Sequence, residues 1–334
     1  MKHLTSFDTF GEYSAFLNSQ DYENPNVSYI SSGESSEYNR FLTLKLKSQS
    51  GAIEINKVGT ASNLTASIQY SLDRGLTWQN YTFDGSQGLH IVLNKNYDKH
   101  GCDNIKFKGV NSKFSHSTTT YYNFAMSGDF FGRGDVTSLI NGIGGDCALP
   151  SFAFVGLFSG CTSLLTSPEL PATTLKNNCY QGMFTCCSTL TVAPELPATA
   201  LSTQCYYGMF QWTGILTAPE LSATNVATDA YWCMFFGSKS LTGAPYIASP
   251  ANPAATPTRL YQRMFEGCNN LTYIKAMFTS WPVASNGNSV TGQWVYQVKS
   301  TGTFVANANA SFLSSPPRGA AGIPNNWTIQ TATA

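Results

Sequence analysis

The sequence predicts a multidomain, β-rich α+β chain. It has a short helix-and-strand head, a small β-sandwich, and a repeat solenoid closed by a C-terminal cap. Three observations predict this. Between residues 157 and 271 one phrase recurs roughly five times, at a spacing seen most regularly from Phe158 to Phe184 to Phe210. Residues 39–126 alternate apolar and polar side chains in short runs, and residues 1–38 carry a helix signature that ends in Asn-Ser-Gln. Self-similarity at roughly 20 to 50 residues marks stacked units that bury their apolar faces only against each other.

In the head, Thr9 followed by Glu12 forms a capping box, and Phe10, Tyr13, Phe16 and Leu17 fall at helical spacing. Asn18-Ser19-Gln20 ends that helix, and Pro25 to Ile30 reads as a short extended segment. One helix and one strand cannot bury these aromatics alone, so the head needs the next domain or another chain.

From residue 39 to 126 the period is two. Phe41 to Leu46, Ile53 to Ile55, Ser67 to Leu72, His90 to Leu93 and Ile105 to Phe107 are separated by Gly, Asn and Ser clusters. Short strands at that spacing predict a small β-sandwich. Within it, Ser71-Leu72-Asp73-Arg74-Gly75-Leu76-Thr77-Trp78 resembles an Asp-box, a hairpin turn in which Asp73 accepts backbone bonds and Gly75 permits positive φ.

The repeats occupy residues 127–280. Their clearest copies are Cys179-Tyr180-Gln181-Gly182-Met183-Phe184 and Cys205-Tyr206-Tyr207-Gly208-Met209-Phe210. Looser copies end at Phe158, Phe235 and Phe265, and Pro168-Glu169-Leu170, Pro194-Glu195-Leu196 and Pro219-Glu220-Leu221 run in step. The prolines read as short extended edges. Leu175, Cys179 and Met183 at i, i+4, i+8 predict a short inward-facing helix in each unit. Strand, turn, helix and turn within one such unit is a leucine-rich-repeat layout. The third copy departs at Trp212-Thr213-Gly214, and the interval from Phe235 to Phe265 is longer than those before it, so the stack is expected to distort there. Residues 281–334 lose the phrase; Gln293 to Tyr296 and Thr303 to Val305 read as strands of a cap.

Composition excludes several classes. Formal net charge is zero, which gives no long-range attraction to nucleic acid, and only 11% of residues are charged. Residues 1–140 carry 12 Lys/Arg and 13 Asp/Glu, leaving an almost uncharged second half rich in Thr, Ser, Ala and aromatics. That surface suits a protein held in an assembly and predicts a homo-oligomer, with a trimer as one form. The N-terminus shows neither the apolar run of a signal peptide nor a membrane span, so synthesis in the cytoplasm without membrane insertion is expected.

No cofactor, metal or catalytic residue is expected, and the chain is read as a non-enzyme. The cysteines share repeat slots with Thr213 and Ser238, which marks them as small buried fillers and not bridge partners. The histidines, His3, His90, His100 and His116, all precede the repeats, and His100-Gly101-Cys102-Asp103 reads as a turn. Glu169, Glu195 and Glu220 recur once per unit as solvated or turn-bonding residues, with no carboxylate pair marked for acid/base work. Arg133-Gly134-Asp135 reads as a bend. Tyr180, Tyr206, Tyr231 and Tyr261 are expected to stack as a structural ladder. The variable slots are more informative. Tyr207, Trp212, Trp232 and Phe236 are the candidate ligand-facing residues, forming either an aromatic patch for sugar or protein, or a surface covered by the cap, loop 248–257 or a neighbouring subunit.

Met264-Phe265-Glu266-Gly267-Cys268-Asn269-Asn270-Leu271, the Ala-Pro-Glu-Leu-Pro-Ala-Thr of residues 193–199 and the closing Gly-Ile-Pro-Asn-Asn-Trp-Thr-Ile resemble the BspA-like leucine-rich repeats of Bacteroidetes and their phages. In cellular members that resemblance implies an exported surface adhesin. The head, from Met1-Lys2-His3-Leu4 to Tyr38-Asn39, resembles the start of fibre and decoration proteins of crAss-like Bacteroides phages. It implies a structural virion protein on the particle surface, made in the host cytoplasm. Phe7, Phe10, Tyr13, Phe16, Leu17, Val27 and Tyr29 would then dock on the capsid or another virion protein, and the repeats would meet a host glycan or protein. The alternative is a bacterial BspA-like adhesin. A glycan-active enzyme rests on the single Asp-box alone.

Overall fold

The computed structural model describes residues 40–60, 65–83, 88–94, 104–253, 256–284, 286 and 289–332. The head lies outside them, and with it Phe7, Phe10, Tyr13, Phe16, Leu17, Val27 and Tyr29. Among the described residues the chain is β-rich and holds several sheets; regular helix is confined to α1 (Ser138–Asn141) and a 3-10 turn at Ser311–Ser314.

Alternating apolar residues build the first two sheets. Strands β1 (Leu42–Leu46), β2 (Ser50–Val58), β3 (Ala66–Ser71), β4 (Gln79–Phe83), β5 (Leu89–Asn94), β6 (Asn104–Lys108), β7 (Tyr121–Ser127), β8 (Phe130–Arg133) and β9 (Leu164–Thr166) form a six-stranded sheet, order β4-β3-β6-β1-β8-β9, and a three-stranded sheet, order β5-β2-β7. All pairs are antiparallel except β8 with β9. Leu42, Leu44 and Leu46 point one way from β1, and Ile53 and Ile55 one way from β2, all buried. The sheets meet where Phe107 lies edge-on to Phe124, 5.3 Å between centroids, and where Phe83 packs on Tyr122 at 4.5 Å. Strands β4, β7 and β8 were not legible as runs.

The turn at residues 71–78 joins β3 to β4. Asp73 accepts the Thr77 N–H at 2.8 Å and the Thr77 hydroxyl at 2.5 Å, while Ser71 Oγ accepts the Gly75 N–H at 2.8 Å. Gly75 takes φ +98°, and the Trp78 indole donates to its carbonyl at 3.1 Å.

From residue 152 the backbone winds into repeated rungs of turns. The inward helix expected from Leu175, Cys179 and Met183 does not form, which corrects the helical part of the repeat layout, while the helix expected in the head lies outside the described residues. Instead every fourth residue adopts positive φ, as at Asn178 (59°), Gly182 (60°) and Cys186 (63°). This alternates the direction of successive N–H groups. Those of Asn178, Tyr180, Gly182, Phe184 and Cys186 donate to the next rung, at Thr203, Cys205, Tyr207, Met209 and Gln211, over 2.8–3.0 Å. Those of Gln181, Met183, Thr185 and Cys187 turn back three residues within the rung, over 3.1–3.2 Å. A helix would send every N–H along its own axis and leave the neighbouring rung unbonded.

The rungs stack in register. Phe158, Phe184, Phe210, Phe235 and Phe265 lie 5.4–5.7 Å apart with planes within 6°. Phe124 of β7 precedes them, 5.1 Å from Phe158, so the ladder grows directly from the three-stranded sheet. Phe154, Tyr180, Tyr206, Tyr231 and Tyr261 form a second file at 5.9–6.1 Å. The longer interval between Phe235 and Phe265 does not distort the stack: their rings stand 5.4 Å apart at 5°, and the extra residues go into the loop after Ala248.

Opposite the turns, β10 (Gly243–Ile247), β11 (Tyr273–Ala276), β12 (Thr303–Asn307) and β13 (Thr328–Ala332) form a parallel sheet in chain order. Residues 293–296, expected as a strand, are turns. Tyr261, Arg263, Phe265 and Gly267 donate to Val290, Gly292, Trp294 and Tyr296 at 2.8–3.1 Å, and Gln293 and Gln297 take positive φ. The repeat backbone thus runs one rung past the repeat sequence. Trp294 is fully buried on the last rings, and its indole donates to Gly322 at 2.7 Å.

Candidate functional site

Each rung faces inward at two residues and outward at the next two, so the outward slots form columns running from rung to rung. One column holds Gln181, Tyr207, Trp232 and Gln262; the next holds Thr185, Gln211, Phe236 and Glu266. The positive-φ columns beside them hold Asn178, Gln204, Asp229 and Arg259, then Gly182, Gly208, Cys233 and Arg263, then Cys186, Trp212, Gly237 and Gly267. The four expected ligand-facing residues all lie on these columns within two adjacent rungs.

Their contacts differ. Tyr207 stacks on Trp232 at 4.7 Å and 22°, and the Arg259 guanidinium lies 4.5 Å from the Trp232 ring centre. Trp212 meets Phe236 edge-on at 5.5 Å and 86°, and Arg263 lies 5.1 Å over Phe236. Trp212 also covers Gly237 so closely that an added Cβ there would strike the indole. Trp232 and Phe236 are half-buried under their guanidiniums, whereas Trp212 is 48% exposed.

Both guanidiniums are neutralised. Arg259 makes a bidentate pair with Asp229 at 2.7 and 2.8 Å, and Arg263 one with Glu266 at 2.7 and 3.1 Å. These carboxylates, first through their hydrogen bonds, raise both arginine pKa values. Gln204 donates to Asp229 at 3.1 Å and accepts from Asn178 at 2.8 Å, which ties the column across four rungs. Arg259, Arg263, Asp229 and Glu266 were missed from the sequence. Their signal was Arg259, Arg263 and Glu266, three charges within eight residues of a charge-poor half of the chain.

The thiols sit differently. Cys161, Cys187 and Cys268 are buried and donate to the carbonyls of Phe124, Phe158 and Phe235 at 2.8–3.1 Å; Ser238 does the same to Phe210 at 2.6 Å. The slot therefore requires a small donor, beyond the filler expected. Burial pushes the thiols up, to about 12 for Cys205 and Cys268, so they are protonated at neutral pH and lack thiolate character.

Other sequence features resolve locally. Asp135 of the Arg-Gly-Asp tripeptide is buried and accepts from the Thr137 N–H and hydroxyl at 2.7 Å and from the Gly145 N–H. Glu169, Glu195 and Glu220 are exposed. His90 pairs with Glu54 at 3.0 Å, while His3, His100 and Cys102 lie outside the described residues. Among the described residues no cluster of three His, Cys, Asp or Glu is placed to hold a metal, and no helix is long and apolar enough to cross a membrane.

The fold and site define a β-rich repeat chain with an aromatic and guanidinium cluster on one face. No protein-family model, curated protein or solved structure matches it.

Proposed function

We propose that this chain is a structural virion protein of a tailed bacteriophage, a head fibre or decoration protein that displays a repeat domain for attachment to the host surface or its glycans. In this reading residues 39–126 are a β-sandwich, 127–280 a leucine-rich-repeat solenoid of about five units and 281–334 its cap. Residues 1–38 dock on the capsid or another virion protein. The observation that carries the display reading is the ladder itself. Rung-to-rung hydrogen bonds and ring stacking run from β7 to Trp294 and hold the outward columns in fixed register. Such a scaffold presents contacts in fixed positions, and many copies on one particle multiply weak binding. The virion assignment itself rests on the resemblance of the head. Immunogold labelling of purified particles with antibody to this chain tests it. Label on the particles is expected, and label confined to bacterial envelopes would replace it with the surface-adhesin reading.

A further inference from the structure

We propose that the outward face of the second and third rungs binds a neutral glycan, laid against Tyr207 and Trp212; this rests on the display reading above. Two rings of the third rung each commit one side to the fourth: Tyr207 to Trp232, and Trp212 to Gly237 and Phe236. Trp212 is 48% exposed and Tyr207 half-buried, and the matching slots of the second rung hold only Gln181, Gly182, Thr185 and Cys186. The result is a step, with two aromatic faces standing over a low polar floor. Trp232 and Phe236 cannot play this part, because Arg259 and Arg263 cover them.

The floor suits a polyol. Gln181 Oε1 accepts from Asn178 at 2.6 Å, and its Nε2 makes no hydrogen bond among the described residues; Thr185 Oγ1 donates to Gly208 at 2.9 Å and keeps its lone pairs. Sugar C–H groups are weakly positive and pack on the negative face of an aromatic ring, while their hydroxyls need amide and hydroxyl partners. Charge chooses among glycans. The outward slots of the second and third rungs carry no charge, and both nearby guanidiniums are already paired with carboxylates. An anionic polymer finds no cation in those slots, the exposed Lys176 lying five residues before Gln181 and outside them. A protein partner is disfavoured by area. A stable interface covers about 800 Å² per partner around an apolar centre, but Trp212 and Leu216 are the only large apolar side chains exposed between Ile143 and Tyr273 among the described residues.

The test is affinity gel electrophoresis of the full chain in gels cast with neutral polymers (mannan, dextran, galactan, β-glucan) or anionic ones (alginate, heparin). Retardation by at least one neutral polymer is expected, insensitive to salt. Trp212→Gly installs the residue that this slot carries at Gly160, Gly237 and Gly267, so the backbone conformation is kept; it should weaken binding about tenfold. Tyr207→Ala and Gln181→Ala should weaken it as well. The inference is overturned if no neutral polymer retards the chain, if only anionic polymers do so, or if Trp212→Gly binds as the native chain does. Labelled particles without glycan binding would remove this inference alone, whereas glycan binding with unlabelled particles would remove the virion assignment alone.

Discussion

The four-residue backbone period makes a sharp prediction at two glycines in equivalent slots. Gly156 and Gly182 both take φ +60°, so replacing either by alanine imposes the same left-handed penalty on a residue bearing Cβ, about 1–2 kcal/mol. Alanine also lowers the entropy of the unfolded chain, which returns about 0.4–1 kcal/mol. For Gly182→Ala nothing else changes, because the new Cβ would meet only Thr185 Oγ1 at 3.4 Å. Its expected cost is about 1 kcal/mol. At Gly156 the Cβ would lie 2.5 Å from the Tyr121 ring, which must move. Overpacking of that kind adds about 1–3 kcal/mol, for a total of about 2–4 kcal/mol. Urea unfolding followed by circular dichroism reads both variants against the native chain. Equal losses, or no loss at either position, would refute the left-handed assignment or the packing of the first rung on Tyr121. As a converse, Cys186→Gly at φ +63° should stabilise by about 0.5 kcal/mol.

Three further outcomes follow from the same geometry. A small thiol reagent at neutral pH should label exposed Cys186 first and reach Cys161, Cys187, Cys205 and Cys268 only after unfolding, because burial covers these sulfurs and raises their pKa. Peptide mapping by mass reads the order, and early labelling of any of the four contradicts the rung packing. Arg259→Gln should destabilise by about 2–3 kcal/mol, since Asp229 is almost fully buried and loses a bidentate partner, and adding Asp229→Asn should recover most of that. A denaturation cycle in which the two losses simply add would rule out the pair. The hydroxyl and N–H of Thr77, then the Ser71 hydroxyl, hold the Asp73 carboxyl below its ordinary 3.8. The stability this turn contributes is therefore complete above that value and lost as pH falls below it. Asp73→Ala should flatten the acid limb of the stability curve; parallel limbs would show that the turn bonds are not made.

Much of the first two sheets was readable, because a period of two has one structural meaning, and Leu42, Leu44 and Leu46 all face the core as their alternation requires. The rungs were misread for a related reason. Cys179, Tyr180, Met183, Phe184 and Cys187 face inward in pairs at a period of four, which over so short a run cannot be told from the helical period. What separates them is φ at Asn178, Gly182 and Cys186, and only glycine, with asparagine a weaker second, announces positive φ in a sequence. Cysteine and, at the same slot in the next copy, Trp212 do not. The cap shows the same limit, since Gln293 and Gln297 continue the rung geometry with none of the repeat's residues.

Spacing along the chain was enough to establish three things. Units set apart as Phe158, Phe184 and Phe210 are must stack, a β-rich module precedes them, and Tyr207, Trp212, Trp232 and Phe236 occupy the slots where the copies differ. The chain carries that information locally, in the order of its residues. Whether the turns bond from rung to rung or close into a helix was settled by the folded arrangement. So was the contrast between Trp232 and Phe236, which lie under Arg259 and Arg263, and Tyr207 and Trp212, which carry no guanidinium. Those features depend on which side chains from different rungs meet across space, where a guanidinium settles on the ring it can stack against and a carboxylate beside it fixes its place.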